Sequence, residues 1–108
     1  LDERKTPAEL LAHYKDEDTY KILLCHEPIE LKECAKNGAD LTMCGHTHGG
    51  QIFPVGILSS LFGINEMRYG IRNYPDGRCV IVSSGVGTWK YPIRTESRSE
   101  IVVVDVNL

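Results

Sequence analysis

The sequence predicts an α/β fold, a mixed β-sheet with flanking helices, and three observations lead to this prediction. Residues 20–25 and 40–44 are short apolar runs, and the residues between them show the apolar period of a helix. Strand, helix and strand within about 25 residues is the spacing of a right-handed crossover, so we expect parallel neighbouring strands. Two later apolar runs flank turn residues and predict an antiparallel hairpin. The 108 residues, 42% of them hydrophobic, suffice for one domain with its own core.

Two helices are predicted from their caps and their apolar faces. Residues 6–9, T-P-A-E, have the N-cap, the first-turn proline and the returning glutamate of a capping box. The second helix ends at Asn37-Gly38, since glycine permits the left-handed conformation that terminates helices. The residues expected to share a helical face are Leu10, Leu11 and Tyr14 in the first helix, and Leu31, Cys34 and Ala35 in the second.

The second half of the chain predicts a loop, a hairpin, another loop and a strand. Residues 53–63 mix proline and glycine with apolar residues, which indicates a loop that must be covered by something. Residues 67–71 and 79–82 flank the turn sequence Y-P-D-G and predict the hairpin. Residues 85–89 are a glycine-rich loop, and the β-branched residues 100–106 predict a closing strand.

Charge and composition argue against several classes of protein. The net charge of −3, without a cluster of Lys and Arg, makes nucleic acid an unexpected partner. The sequence has no run of about 18 apolar residues. Its first residues, L-D-E-R-K, lack an initiator methionine and a signal-peptide pattern, so we expect a truncated amino terminus. No C-x-x-C pair occurs, and reduced core thiols are expected at Cys25, Cys34, Cys44 and Cys79.

Three histidines follow the two predicted parallel strands and are candidate metal ligands. His46 and His48 lie in the run G-H-T-H-G-G, and an extended backbone would point both imidazoles the same way, with Cα atoms about 6.5 Å apart. A pair of surface histidines explains this run equally well. His26 favours a metal site because the crossover brings it to the same sheet edge. Imidazole ligands favour Zn, Mn, Fe or Ni over Ca or Mg. His13, beside an acidic turn, is expected at the surface.

These runs resemble a known family. I-L-L-C-H-E-P at residues 22–28, G-A-D-L at 38–41 and C-G-H-T-H-G-G-Q-I at 44–52 are similar to the closing half of the calcineurin-like metallophosphoesterases, in particular their bacterial G-H-T-H-G-G-Q branch. S-S-G-V-G-T at 83–88, followed by P-I-R, resembles that branch's final active-site loop and strand. The resemblance implies that residues 1–108 form the C-terminal half of a four-layer sandwich, in a hydrolase of phosphoester or pyrophosphate bonds.

The resemblance also implies roles for individual residues. His26 and His46 would bind the second of two divalent ions and His48 the first, with Mn, Zn, Fe or Ni as the expected metals. The backbone would approach the substrate closely at three glycines, Gly49, Gly50 and Gly87.

Three residues of the last loop have two interpretations each. Lys90 and Arg94 either offset phosphate charge or make ordinary rim contacts and ion pairs. Trp89 either flanks an apolar part of the substrate or caps the core. The apolar residues of 53–63 are a candidate membrane-facing or lid segment.

The family's earlier motifs, D-x-H, G-D-x-x-D and G-N-H-[DE], have no match in this sequence. By itself the chain is therefore expected to show little or no catalysis, because three histidines without a bridging carboxylate would hold one ion weakly. For the parent protein the expected substrates are phosphoester or pyrophosphate small molecules or lipid head groups, and its expected location is cytoplasmic or membrane-associated in a bacterium. The alternative is a non-catalytic module that binds metal through the same histidines or forms a homodimer through surface left uncovered by truncation.

Overall fold

The computed structural model describes residues 4–63, 66–88 and 90–107. The α-helices are labelled α1 to α3 and the strands β1 to β4, in chain order. Two short 3₁₀ turns are named by their residues. In chain order the elements are α1 (Pro7–Leu11), a 3₁₀ turn (Ala12–Tyr14), β1 (Ile22–Cys25), α2 (Leu31–Lys36), β2 (Leu41–Cys44), a 3₁₀ turn (His48–Gly50), α3 (Val55–Leu61), β3 (Gly70–Asn73) and β4 (Cys79–Val82).

The strands form one mixed sheet in the order β1-β2-β4-β3, which confirms the predicted α/β class. β1 and β4 both pair with β2 in parallel, and β3 pairs with β4 antiparallel. The parallel neighbours and the hairpin are therefore both confirmed, but the first hairpin strand is Gly70–Asn73 and not residues 67–71. In the β1–β2 register Cys25 lies opposite Cys44, and the amide of Gly45 donates to the carbonyl of His26 at 3.2 Å. Both histidine segments thus leave the sheet at the same edge.

Helices α1 and α2 cover one face of the sheet and form the core with it. Leu31 and Cys34 of α2 are completely buried. Leu31 packs with Cys44, Val80 and Val82, and Cys34 packs with Leu11 and Ala39. Because residues paired in register lie on one face of a sheet, Cys25 and Cys44 share the covered face.

The opposite face of the sheet is partly exposed. Leu24 of β1 is 75% exposed and Ile71 of β3 is 63% exposed. The prediction of β1 as a buried strand is therefore wrong for this face, since β1 is an edge strand with a covered side and an open side. Sheets with parallel pairs are ordinarily covered on both faces, so the exposure of this face is unusual for such a sheet.

The capping box at the start of α1 is confirmed, but its predicted shared face is not. The Thr6 hydroxyl accepts from the Glu9 amide, and the Glu9 carboxylate accepts from the Thr6 amide. Leu11 is buried, whereas Leu10 and Tyr14 are exposed. The helix has only five residues before the 3₁₀ turn begins, and the three-residue period of that turn breaks the face.

Residues 53–63 contain a helix where the sequence predicts a loop. Glycine lowers helix propensity, but the amide of Gly56 in α3 donates to the Glu96 carboxylate at 2.9 Å. That contact with a distant residue helps to hold the first turn. The apolar side chains of this segment remain open, and Leu61 and Phe62 are each 75% exposed. Within the described residues, no helix has the length and apolarity needed to span a bilayer.

The predicted closing strand at residues 100–106 is wrong. These residues belong to no strand, and Ile101 and Val103 are each 82% exposed. A β-branched sequence favours a strand only when a neighbouring strand supplies hydrogen bonds and packing. In the described part of the chain, neither sheet edge provides that neighbour for this segment.

Candidate metal centre

The imidazoles of His26 and His46 lie against each other at the carboxyl edge of β1 and β2. Their ring centroids are 4.4 Å apart with an interplanar angle of 60°. Both side chains are exposed. The parallel pairing of two strands brings together residues that are 20 positions apart in the sequence. The sheet therefore brings two of the candidate metal ligands into direct contact.

Residues 45–52, the histidine loop, fold as consecutive turns and not as the extended backbone that the H-x-H spacing predicts. His46 has φ 66° and His48 has φ 48°. The Thr47 amide donates to the Gly45 carbonyl at 2.8 Å, and the Gly50 amide donates to the Thr47 carbonyl at 2.9 Å. Alternation of side chains requires extended residues, so the predicted common direction of the His46 and His48 imidazoles does not follow from their spacing. His48 Nδ1 lies 3.3 Å from the carbonyl oxygen of Gly87.

The division of ligands that the resemblance implies stays a prediction. The rings of His26 and His46 are in contact, and the ring of His48 lies beside the Gly87 carbonyl. Across residues 4–63, 66–88 and 90–107, no group of three or more His, Cys, Asp or Glu residues is arranged to hold an ion. The pair is suited to zinc or another borderline metal, but it needs further ligands to complete a coordination sphere.

Glu27, which the sequence reasoning missed, is the acidic neighbour of this pair. Its Oε1 lies 3.7 Å from His46 Nε2, and its Oε2 accepts from Arg4 at 3.4 Å. A carboxylate near an imidazole attracts a cation bound there. The sequence feature that could have identified Glu27 is its position next to His26 at the end of a predicted strand.

The cysteines beside the histidines face the core and are not available as ligands. Cys25 packs against both core clusters, and Cys44 is buried. Burial, with a further contribution from Cys25, raises the pKa of the Cys44 thiol to about 12. Because metals bind the thiolate, a thiol with this pKa remains a protonated core residue at neutral pH. The prediction of core thiols is confirmed for these two cysteines.

A cavity of about 400 Å³ adjoins the histidine loop. Its wall combines the imidazoles with apolar side chains and one guanidinium group. Among the lining residues are His46, His48, Ile52, Val55, Arg68 and Tyr91. This cavity has room for an organic group beside the candidate metal ligands.

Residues 95–97, which the sequence reasoning did not single out, hold the histidine loop in place. The amide of Thr95 donates to the Gln51 carbonyl at 2.8 Å, and the Ser97 hydroxyl donates to the His48 carbonyl at 2.5 Å. A Cβ atom built on Gly49 would lie 2.6 Å from the Ser97 Cβ. One built on Gly50 would lie 2.7 Å from the Gly56 Cα. Both glycines thus permit close packing under the loop, and their predicted contact with substrate stays a prediction.

Replacing Gly49 with alanine tests this packing against a matched control. Gly85→Ala has the same left-handed requirement, with φ 67° against 63° at Gly49, but its Cβ would meet nothing within 4 Å. We expect Gly85→Ala to lower the free energy of unfolding by about 1 to 2 kcal/mol through backbone strain. Gly49→Ala should cost about 1 to 3 kcal/mol more through overpacking. Urea denaturation measures both variants, and equal losses would contradict the close approach of Ser97.

The remaining predicted site residues lie around the last loop. Gly87 is exposed, and a Cβ built on it would meet nothing within 4 Å. Arg94 donates to two backbone carbonyls, those of Ser84 at 2.5 Å and Arg98 at 2.7 Å, so it braces the loop. Lys90 is exposed. The prediction for Trp89 lies outside the described residues.

Comparison with known proteins identifies relatives of this chain. An uncharacterized metallophosphoesterase of Aquifex aeolicus is 42% identical over 93 residues, which are 84% of this chain and 34% of that protein. A transmembrane protein with metallophosphoesterase domain of Danio rerio is 39% identical over 82 residues, which are 74% of the chain and 18% of that protein. Phosphodiesterase YaeI of Escherichia coli is 27% identical over 88 residues, with coverage of 80% and 32%.

The chain spans only about a third or less of the length of these relatives. No family model and no solved structure matches it. Several of the relatives are nevertheless named metallophosphoesterases, and they cover most of the chain. The chain therefore belongs to the calcineurin-like metallophosphoesterases.

Proposed function

We propose that this chain supplies three ligands, His26, His46 and His48, to a dinuclear metal-dependent phosphoesterase and forms the C-terminal part of its catalytic domain. The observation that carries the proposal is the contact of the His26 and His46 rings at the carboxyl edge of parallel strands. This edge is where open α/β sheets bind their ligands. The family of the chain supports hydrolysis as the reaction, and one relative is named a phosphodiesterase.

Each histidine would have its own role in the proposed enzyme. His26 and His46 would hold one divalent ion, and His48 the other, with Mn, Zn, Fe or Ni suited to imidazole. Such ions, when bound, supply Lewis-acid polarisation of the phosphoryl group and activation of a water molecule. The separate contacts of the two groups, ring to ring for His26 and His46 and with the Gly87 carbonyl for His48, support this division of ligands.

We further propose that the substrate is a phosphoester or pyrophosphate of a small molecule or a lipid head group. The cavity beside His46 and His48 supports this class, because Ile52 and Val55 line it and suit the organic part of such a substrate. The net charge of −3 gives no general attraction for a polyanion such as nucleic acid.

The test is hydrolysis of bis-p-nitrophenyl phosphate by the full-length protein with added Mn²⁺, compared with metal-free protein. We expect activity that depends on the metal. Replacing His48 with alanine should reduce kcat/KM by more than the roughly 10- to 100-fold typical of residues that only support a ligand. His13→Ala, in the exposed 3₁₀ turn after α1, is the matched control and should retain activity. Hydrolysis that persists without metal, or in His48→Ala, would reject the proposal.

A further inference from the structure

We propose that Glu96 is a positioning residue for the histidine loop and acts on His46 and His48 through Arg68 and Gly56. Only the expected effect on metal binding rests on the proposed function. The placement of the loop is a property of the chain itself. Four connected sets of contacts carry the inference, and each joins residues that are far apart in the sequence.

The backbone of residues 95–97 runs against the end of the histidine loop. The amides of Thr95 and Glu96 both donate to the Gln51 carbonyl, at 2.8 Å and 3.3 Å. The Phe53 amide donates to the Thr95 hydroxyl at 2.8 Å. The chain leaving the loop is thus held in one position before α3 begins.

The Glu96 carboxylate lies where it can connect α3 with Arg68. Its side chain is only 12% exposed. Oε2 accepts from the Gly56 amide at 2.9 Å, and Oε1 accepts from a guanidinium nitrogen of Arg68. A carboxylate with so little access to water needs such charge-assisted partners. Its charge therefore fixes both the first turn of α3 and the side chain of Arg68.

Arg68 carries the connection to the residue between the two histidines. Its carbonyl accepts from the hydroxyl of Thr47, and its side chain lines the cavity together with His46 and His48. Movement of Arg68 would consequently move Thr47 as well. Two direct contacts therefore connect Glu96 with Thr47, the residue between the two histidines.

The packing around Glu96 leaves little room for adjustment. A Cβ atom built on Gly56 would lie 2.5 Å from both Arg68 and the Glu96 Oε1 atom. A Cβ built on Gly50 would lie 3.0 Å from Glu96 Oε2. Well-packed interiors transmit strain because they have few voids into which side chains can relax. A change in the charge of Glu96 is therefore expected to reach the loop.

The decisive variant is Glu96→Gln in the full-length, metal-free protein. The amide keeps an oxygen for the Gly56 amide, but it presents a donor to Arg68 and so removes the charged contact. We expect the imidazole resonances of His46 and His48, observed by NMR, to shift while those of His13 stay in place. With metal added, the dissociation constant should rise about 10-fold or more, as for other residues that orient ligands.

Glu33→Gln is the matched control, since it removes the carboxylate of an exposed ion pair with Lys36 on α2. A purely structural Glu96 would lower thermal stability and leave the imidazole resonances and the dissociation constant as in Glu33→Gln. That result would overturn the proposal. If Glu96→Gln fails to fold, Glu96→Asp takes its place, because the shorter side chain keeps its charge but cannot reach both Arg68 and the Gly56 amide. Unchanged resonances of His46 and His48 in folded Glu96→Asp would likewise overturn the proposal.

The NMR measurement separates this inference from the proposed function. Failure of the wild-type protein to bind Mn²⁺ or hydrolyse phosphodiesters would reject the proposed function. Shifted resonances of His46 and His48 in metal-free Glu96→Gln would still support the positioning role.

Discussion

Replacing His46 with alanine is expected to abolish metal binding at the His26–His46 pair. His46 is one of only two imidazoles that face each other at this sheet edge in the described residues, so its loss leaves a single donor. His46→Ala should lower the metal affinity by more than the roughly 10- to 100-fold loss seen when a residue that merely supports a ligand is changed. Equilibrium dialysis followed by plasma mass spectrometry measures the bound Mn or Zn per protein chain.

His13→Ala is the control for His46→Ala because it removes the same side chain from an exposed turn away from the sheet edge. It should leave the bound metal unchanged. The same measurement on the 108-residue chain tests whether three histidines hold an ion without the ligands of the rest of the protein. Unchanged metal affinity in His46→Ala would show that the metal site has been assigned to the wrong residues.

Replacing Leu31 with alanine is expected to produce the largest loss of stability among single changes in the core. Leu31 is completely buried between α2 and the sheet, in contact with Cys44, Val80 and Val82. Truncation of a buried leucine costs about 2 to 5 kcal/mol, because apolar contact is lost and a cavity remains. That is a large share of the roughly 5 to 15 kcal/mol by which domains are stable. Urea denaturation followed by circular dichroism measures the change.

Leu61→Ala is the matched control for Leu31→Ala. Leu61 is also helical, in α3, but it is 75% exposed. Its replacement should change the free energy of unfolding by no more than about 0.5 kcal/mol. Similar losses for the two variants would mean either that α3 is covered in the full-length protein or that Leu31 does not pack as described. Repeating both in the 108-residue chain distinguishes these two explanations.

The parts of the fold that the sequence predicted correctly depend on local chemistry. The capping box of α1 and the buried face of α2 involve residues three or four apart. The crossover follows from chain length, since two strands joined by a short helix must be parallel neighbours. From this topology alone His26 and His46 were expected at one edge, and their rings are in contact there.

The errors arise where contacts between distant residues decide the conformation. Gly56 weakens the helical pattern of residues 53–63, but Glu96, forty positions later, accepts from its amide. The apolar residues 100–106 have the composition of a strand but no neighbour in the described sheet. Local propensity favours each conformation by only a fraction of a kcal/mol per residue, so one tertiary contact outweighs it.

The sequence by itself determined which chemistry is present: three imidazoles that follow two predicted parallel strands, two of them in a glycine-rich run. Only the tertiary structure decided how that chemistry is arranged. The histidine loop folds as turns and not as extended backbone, and the Ser97 hydroxyl holds the His48 carbonyl from 49 positions away. Spacing along the chain cannot specify such contacts, because they depend on close packing between segments that meet only after the sheet has formed.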